Sequence, residues 1–586
     1  MKYSKIFSLA VCATLLASCS DNFLENKPQG TLSDGVMNSP ESVDLLVNSS
    51  YAALYGFLEG YHPNTLPTNN WTYGEVRSDN AYKGGGGTGD VYDAHLMETF
   101  ENTSETGNLD QKWFLLYCSI SRCNSALRVL NAATEEEIPL KKVRIAEIKV
   151  LRSHFYFELV RFFNKVPYMD ENLPETEYVN VRNDEFTRNE HLTRIASDLL
   201  EAAEALPARQ SEQGRINGNI AKAYAAKVKL YQAYEQDPAT NKVSNINKTL
   251  LNEVVSLIDQ IQGYDLLPDF QSLDLVESDN GIESVFDIQY STNDGSSDAG
   301  RVNWSMQLCQ PGGNSPYQGD GFFLPSQDLI NAYQTDANGL PVFDYQTRPD
   351  YAGVAIDNAT GEPYIVNTTP TVDPRLDFVV GRPGITWKKR TESACLFTWA
   401  RDVVYGYNCT KRFVLDTNDP NISFLGCHGL SGLNWHLIRY ADLLLWKAEA
   451  LIELGRQDEA LPLINKIRQR AMNSAYVKDF NDPSKYAANY NIGLYPSTGW
   501  TQEYARQALR TETRLEKALE GERFFDLVRW GIAKETMNNY LNAERSKRIY
   551  YNNVEFKDGR EYFAVPVAQY NFSGGIYTQN PGYPSF

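Results

Sequence analysis

The stretch from Asn69 to Gly87, NNWTYGEVRSDNAYKGGGG, gathers the residue types that hold a polyhydroxylated ring. One face of a sugar is a patch of C–H groups on which an indole or phenol stacks, while amides and carboxylates beside it bond the hydroxyls. Asn70, Trp71, Asp79, Asn80 and Tyr82 supply both kinds of group, Lys83 adds a cation, and Gly84 to Gly87 let the backbone come close to a ligand. Together with Trp304 and Tyr317 from later in the chain, Asn70, Trp71, Asp79, Asn80 and Tyr82 are the expected lining of a ligand site. Trp71, Trp304, Trp387, Trp399, Trp435 and Trp500 fall in turn-rich segments, where each is either a stacking platform or loop packing. Trp113, Trp446 and Trp530 fall on helical patterns and read as core.

Catalytic chemistry finds fewer residues to work with. There is no GxSxG elbow and no dinucleotide fingerprint, and the four glycines are not followed by the GK[ST] of a phosphate loop. The six histidines form no HExxH and no CxxC occurs, which argues against zinc. Two carboxylates flanking a sugar make a glycosidase, but their separation in space is not legible in a sequence. The stretches Asp294 to Asp298 and Asp336 to Gly339 depart from the EF-hand spacing and read as ordinary turns, so bound calcium is not indicated. No catalytic residue, metal or cofactor is expected.

These side chains need a scaffold, and apolar spacing at three and four residues supplies one. It predicts helices from Ser39, where a capping box opens the run, and over 109–132, 141–163, 189–205, 219–236 and 247–261. The fold class is therefore mainly α, a tetratricopeptide-like array of paired helices without a clean repeat of about 34 residues. Between about Gly263 and Asn434 turn signals crowd in, and short apolar runs such as VFDIQY and FTWA read as strands. This loop-rich, partly β insert, with the loop from Tyr61 to Tyr92, is the expected working surface.

The stretch Trp435 to Gly531 then reads as a helix ending at Gly455, a second helix packed back on it, and a third over RLEKALEGERFFDLVRWG. Arg439, Asp442, Trp446, Glu449 and Glu453 form a polar stripe on an otherwise apolar helix. It is either a solvated face or half buried, and buried charge requires partners, for which Arg468, Arg470 and Arg523 are the candidates.

Residues 1–18 have the build of a signal peptide: Lys2 and Lys5 precede the apolar run Ile6 to Leu16, which is too short to span a membrane. Leu16, Ala17, Ser18 and Cys19 fit a bacterial lipobox, in which Cys19 becomes the lipidated first residue. Export permits disulfides among Cys118, Cys123, Cys309, Cys395, Cys409 and Cys427, although a chain of 586 residues does not need them. Cys118 and Cys123 sit on different faces of one predicted helix and read as packing. A formal net charge of −19, more negative still once Lys2 and Lys5 are removed, repels nucleic acid and anionic lipid.

The segments RYADLLLWKAEA, NKIRQRA, LEGERFFDLVRWG and NPGY resemble the C-terminal signature of the SusD/RagB family of outer-membrane nutrient-binding lipoproteins. CSDNFLENKP, WFLLYCSISRCNSAL, AEIKVLRSHFYFELVRFFNKVPY, GRINGNIAKAYAAKVKLY and DPRL at Asp373 to Leu376 extend the resemblance over nearly the whole chain. It implies one SusD-like domain over 19–586, with a helical scaffold at about 39–262 and 435–545 and the ligand-binding insert at about 263–434. It implies a non-enzymatic, surface-exposed lipoprotein of the outer membrane that binds an oligosaccharide or polysaccharide and delivers it to a TonB-dependent SusC-like transporter. Ser78, Asp79 and Asn80 match a Ser-Asp stretch that lies beside the family's ligand site. The family's frequent tryptophan just after it is absent, and Tyr82 or Tyr92 stands in its place. A glycoside hydrolase and a helical-repeat protein scaffold without a glycan site are the alternatives. Because one modified residue supplies the anchor, Cys19→Ala should release the mature protein in soluble form. Membrane association that survives a high-salt wash would show that another element holds it.

Overall fold

A computed structural model of the chain describes residues 40–56, 61–66, 70–292, 294–295, 301–388, 393–423 and 429–586. The targeting segment, Cys19 and the capping box expected at Ser39 lie outside the described residues.

Helices stand where the apolar spacing placed them: Pro40–Tyr55, Gly107–Ala132, Lys141–Phe163, Arg188–Ala205, Gly218–Ala233 and Lys248–Asp259. From Gly107 onward each packs on the next, the arrangement of a tetratricopeptide-like array. Their starts have local causes. Thr187 and Glu190 form a reciprocal capping box, and the Asn217 and Asn247 side chains accept from the first free backbone N–H groups of their helices. Lys141–Phe163 is the central helix, since every residue from Val150 to Phe163 is buried, Arg152, Glu158 and Arg161 included.

The chain between Gly263 and Asn434 is rich in turns and short antiparallel strand pairs, and it closes back on the scaffold. Ala81–Gly84 pairs with Phe322–Pro325, and Ser284–Ile288 pairs with Trp435–Arg439. One hydrophobic core runs from Val43 to Val565 and takes in Phe286, Phe322, Val372 and Phe413. Among the described residues no helix is long and apolar enough to cross a membrane.

Three local expectations are corrected. Trp435–Arg439 is a strand, and the helix begins at Tyr440, because residues 435–439 complete a ladder with Ser284–Ile288. FTWA contains a 3₁₀ turn, Phe397–Trp399, rather than a strand. The run expected as one helix over 514–531 is split into Gln502–Glu516 and Arg523–Arg529, with Leu519 and Gly521 at φ of 67° and 86°. The break has a steric cause: a Cβ on Gly74 would lie 1.9 Å from the Gly521 carbonyl oxygen, so two backbones touch where only glycine fits.

The polar stripe is buried rather than solvated, but its partners are not the arginines expected. Arg439 bonds Glu283, Glu516 and Glu520, Asp442 bonds Lys517, Glu449 bonds Arg529, and Glu453 bonds Arg506. Arg468 goes instead to Glu512, Arg470 to Glu283 and Glu516, and Arg523 to Asp79. Glu516 is the hub. Its carboxylate meets Arg439 at 2.6 Å, Arg375 at 3.1 Å, and Arg470.

Burial alone would raise the pKa of Glu516, but Arg470, Arg439 and Arg375 overcome it and hold the carboxyl at about 2. Glu522 is held at about 2 in the same way, by Arg161 and Lys227 against burial. A folded pKa below the ordinary 4.5 contributes stability that is complete above pH 4.5 and is lost as the pH falls toward 2. The melting temperature should therefore drop across that window. Glu516→Gln should cost about 3–5 kcal/mol at neutral pH, because it strands buried guanidinium groups, and should flatten the acid limb. Chemical denaturation as a function of pH measures both.

Candidate ligand-binding site

The residues expected to line a ligand site are, with one exception, interior. Trp71 is 1% exposed: its ring packs against Phe323 and Phe322, and its Nε1–H donates to the Ser305 carbonyl at 3.1 Å. Asn70 donates to Glu158 at 2.8 Å and accepts from Lys112 at 3.1 Å. The Asp79 carboxylate receives both arms of Arg523, at 2.8 and 2.9 Å, with Arg514 at 3.3 Å. Asn80 bonds Glu75 and Arg514, each at 2.8 Å. Tyr82 donates to Glu544 at 2.6 Å, accepts from the Gln327 backbone N–H, and carries the Arg548 guanidinium on its ring. Tyr317 sits in a separate buried cluster with Trp387 and Trp399, donating to the Leu415 carbonyl. Trp304 is half-buried against Val302 and Leu430.

The expectation that these residues face a ligand is thus corrected. Their stacking faces and hydrogen-bonding capacity are spent inside the protein. The structure brings Asn70, Trp71, Asp79, Asn80 and Tyr82 together, as one side of a joint between the loop 70–84 and the C-terminal helices, but not with Tyr317. Glu75 completes this joint by accepting from the Gly521 and Glu522 backbone N–H groups, and burial pushes its carboxyl up to about 7 against those bonds. Asp79 goes the other way: burial would raise it, but Arg514 and Arg523 bring it to about 2.

Eight of the nine tryptophans are buried and Trp304 is half-buried, so a fully open stacking platform comes from other rings. Several exposed rings already have a face covered: Phe114 by Tyr61, Tyr486 by the Lys478 ammonium and Phe586 by Tyr570. Tyr92 is 56% exposed and stands directly after a polar turn. Lys83 folds that turn, because its ammonium donates to the Gly87 and Asp90 carbonyls while lying over the Phe322 and Tyr405 rings. Burial pulls the Lys83 amine down to about 8 against the pull of Glu98, Asp90 and Asp402.

The glycine run serves two purposes. Gly84 and Gly85 press on Gly321 and Phe322 of the paired strand, where a Cβ would lie 2.4 Å from existing atoms, so there the close approach is to the chain itself. Gly86 and Gly89 face outward. The Gly86 N–H donates to Asp90, whose carboxylate also meets Arg401 at 3.3 Å, and Arg401 bonds Asp320 at 3.2 Å. Val403, 60% exposed, and Asp402 continue the rim, and the Tyr92, His95, Tyr550 and Tyr405 rings follow one another beneath it. Val91, just before Tyr92, holds φ at 46°, a strained conformation for a β-branched residue of the kind that clusters at functional sites.

The surface thus presents one open phenol beside part-exposed carboxylates and a guanidinium, the groups that stack on a ring and bond paired hydroxyls. Sequence reasoning had Tyr92 as a stand-in for the missing tryptophan but passed over Asp90, Asp320, Arg401 and Asp402. Their only signal was a position in turns. Among the described residues no cluster of three or more His, Cys, Asp or Glu is placed to hold a metal ion. Asp336 accepts from the Asn338 and Leu340 backbone N–H groups, as an ordinary turn does.

Trp71→Ala and Asp79→Ala should accordingly act on stability rather than on ligand affinity, each costing about 3–5 kcal/mol in denaturant titrations, the first by leaving a cavity and the second by stranding Arg523. Affinity loss without a fall in melting temperature would reinstate them as ligand contacts.

The chain matches the model of the SusD family over residues 282–583, and over residues 22–230 a second family model described as starch-binding and associating with the outer membrane. SusD-like protein P2 of Formosa agariphila is 24% identical, with all of both chains covered. A SusD-like protein of Bacteroides ovatus is 22% identical over 99% of this chain and 91% of that protein. Among solved structures, a laminarin-binding SusD-like protein superposes with a TM-score of 0.64 at 20% identity, covering 93% of this chain and all of that one. Surface glycan-binding protein A of Bacteroides thetaiotaomicron, in complex with laminarihexaose, gives a TM-score of 0.62 at 17% identity, covering 92% and 99%. Helical scaffold, turn-rich insert and matched signature agree, and the chain belongs to the SusD family.

Proposed function

We propose that this chain is a non-catalytic carbohydrate-binding protein of the outer membrane that holds an oligosaccharide or polysaccharide on the surface around Tyr92 and passes it to a TonB-dependent transporter of the SusC type. The single observation that carries the binding surface is the open Tyr92 ring beside the turn that Lys83 and Asp90 fold, with Arg401 between Asp90 and Asp320. Relatives described as binding laminarin or laminarihexaose support the ligand class. The outer-membrane setting is supported by the second family model and by the lipobox at Cys19, and the transporter partnership rests on family membership.

A glycoside hydrolase needs two carboxylates free to flank a scissile bond. Here Asp90 and Asp320 bond the same guanidinium, an arrangement that suits hydrogen bonding to hydroxyls rather than acid–base work. Calorimetry against a glycan panel that includes laminarin should give affinities between micromolar and millimolar, roughly −8 to −4 kcal/mol. Tyr92→Ala should weaken binding about tenfold, near 1.4 kcal/mol, with the melting temperature unchanged. Unaltered affinity in that variant, or steady appearance of new reducing ends, would defeat the proposal.

A further inference from the structure

The loop that carries Arg401, Asp402 and Val403 leaves and re-enters the protein at two cysteines, Cys395 and Cys409. Both are buried, in one cluster with Trp387, Trp399, Tyr317 and Val414. Backbone pairing brings them to the same place. Cys409 stands opposite Gly381 in the short antiparallel pair 380–381 with 409–410, while the Cys395 thiol reaches the Gly381 carbonyl at 3.5 Å. Cys395 is fixed from its own side as well, its N–H donating to the Ile385 carbonyl and its carbonyl accepting from Gly384. The Trp387 ring lies against Gly381, where a Cβ would be 2.2 Å away, and the Cys409 carbonyl would be 3.3 Å from the same point, so both cysteines and the tryptophan crowd one glycine. Burial, with Cys409 beside it, pushes the Cys395 thiol well above its ordinary pKa. Cys395, Cys409, Cys118, Cys123 and Cys309 all stand as free thiols in this structure.

We infer that Cys395 and Cys409 are a disulfide pair that closes the base of the loop 396–408 when the chain folds in an oxidising compartment. The inference rests on the reading of the chain as exported. Thiol–disulfide exchange makes the bond: one thiolate attacks the disulfide of an oxidised dithiol, the second thiolate displaces it, and a sulfur–sulfur bond forms. The two thiols give up two protons and two electrons, and the oxidant leaves as a dithiol. Because both sulfurs are buried in the folded protein, exchange occurs before the aromatic cluster closes. Cys123 and Cys309 belong to a different core cluster, Cys118 lies on the helix Gly107–Ala132, and Cys427 lies outside the described residues. The consequence is local to the proposed binding surface. With Phe397 and Tyr407 already packed edge to face at 5.1 Å, the disulfide makes Leu396 to Asn408 a closed loop and limits where Arg401 can go.

The test uses the full mature chain, with Cys19 replaced and export driven by the signal of a known periplasmic protein, so that failure of residues 1–19 as a lipoprotein signal does not affect it. The protein is denatured in alkylating reagent without reductant and digested with trypsin, which cuts at Arg401 between the two cysteines. Mass spectrometry should find peptide 391–401 joined to peptide 402–411, two hydrogens lighter than their sum, with the species lost on reduction and Cys118, Cys123 and Cys309 alkylated. Alkylation of both Cys395 and Cys409, or pairing of either with another cysteine, would overturn the inference.

Discussion

Glu516 meets Arg375, Arg439 and Arg470 where water does not reach, and this cluster of charges is what the rest of the fold is built around. Its members come from far-separated parts of the sequence: Glu283 and Asp373 from the insert, Arg439 from the strand that precedes the helical hairpin and Arg470 from the hairpin itself, Glu512 and Glu520 from the segment that follows. A buried charge without its partner costs several kcal/mol, so these segments must arrive together or not at all. The insert is thereby tied to the helices by ion pairs as well as by the strand ladders at 81–84 and 284–288. This accounts for a turn-rich region with little regular structure holding a defined shape.

The same requirement explains the stretch 70–82. Its amides, carboxylates and aromatic rings have the composition of a sugar site, but each group completes a joint between the N-terminal loop and the C-terminal helices. Asp79 takes Arg523, Asn80 takes Arg514, Tyr82 takes Glu544, and Gly74 lies flat on Gly521. What a polar residue bonds to, not its type, decides whether it serves a ligand or the fold. Immediately beyond the joint the chain reaches the surface, and from Gly86 to Tyr92 the same residue types are left with exposed faces.

The proposed binding surface therefore stands on a rigid base. Lys83 is the transition: its amine is buried among rings, yet it folds the exposed turn by bonding two of its carbonyls. Opposite it, the loop 396–408 supplies Arg401 from a base held by an aromatic cluster and two adjacent thiols. A surface of one phenol, a few carboxylates and a guanidinium gives modest affinity, which suits a protein that must release what it captures.

By itself the sequence determined the helices of the scaffold, the turn-rich insert between them and the family, because helical periodicity, turn chemistry and linear signatures are local properties that neighbours in the chain carry. Even the burial of the stripe from Arg439 to Glu453 was one of the two outcomes that its pattern allowed. Only the tertiary structure decided which arginine meets which carboxylate, where the helix after Glu516 breaks, and which aromatic rings remain exposed. Asp79 and Arg523 are 444 residues apart, and no spacing rule connects them. Trp71 and Tyr92 read alike as loop aromatics, yet one is covered by Phe322 and Phe323 while the other faces water, a difference set by strands that pair across more than two hundred residues.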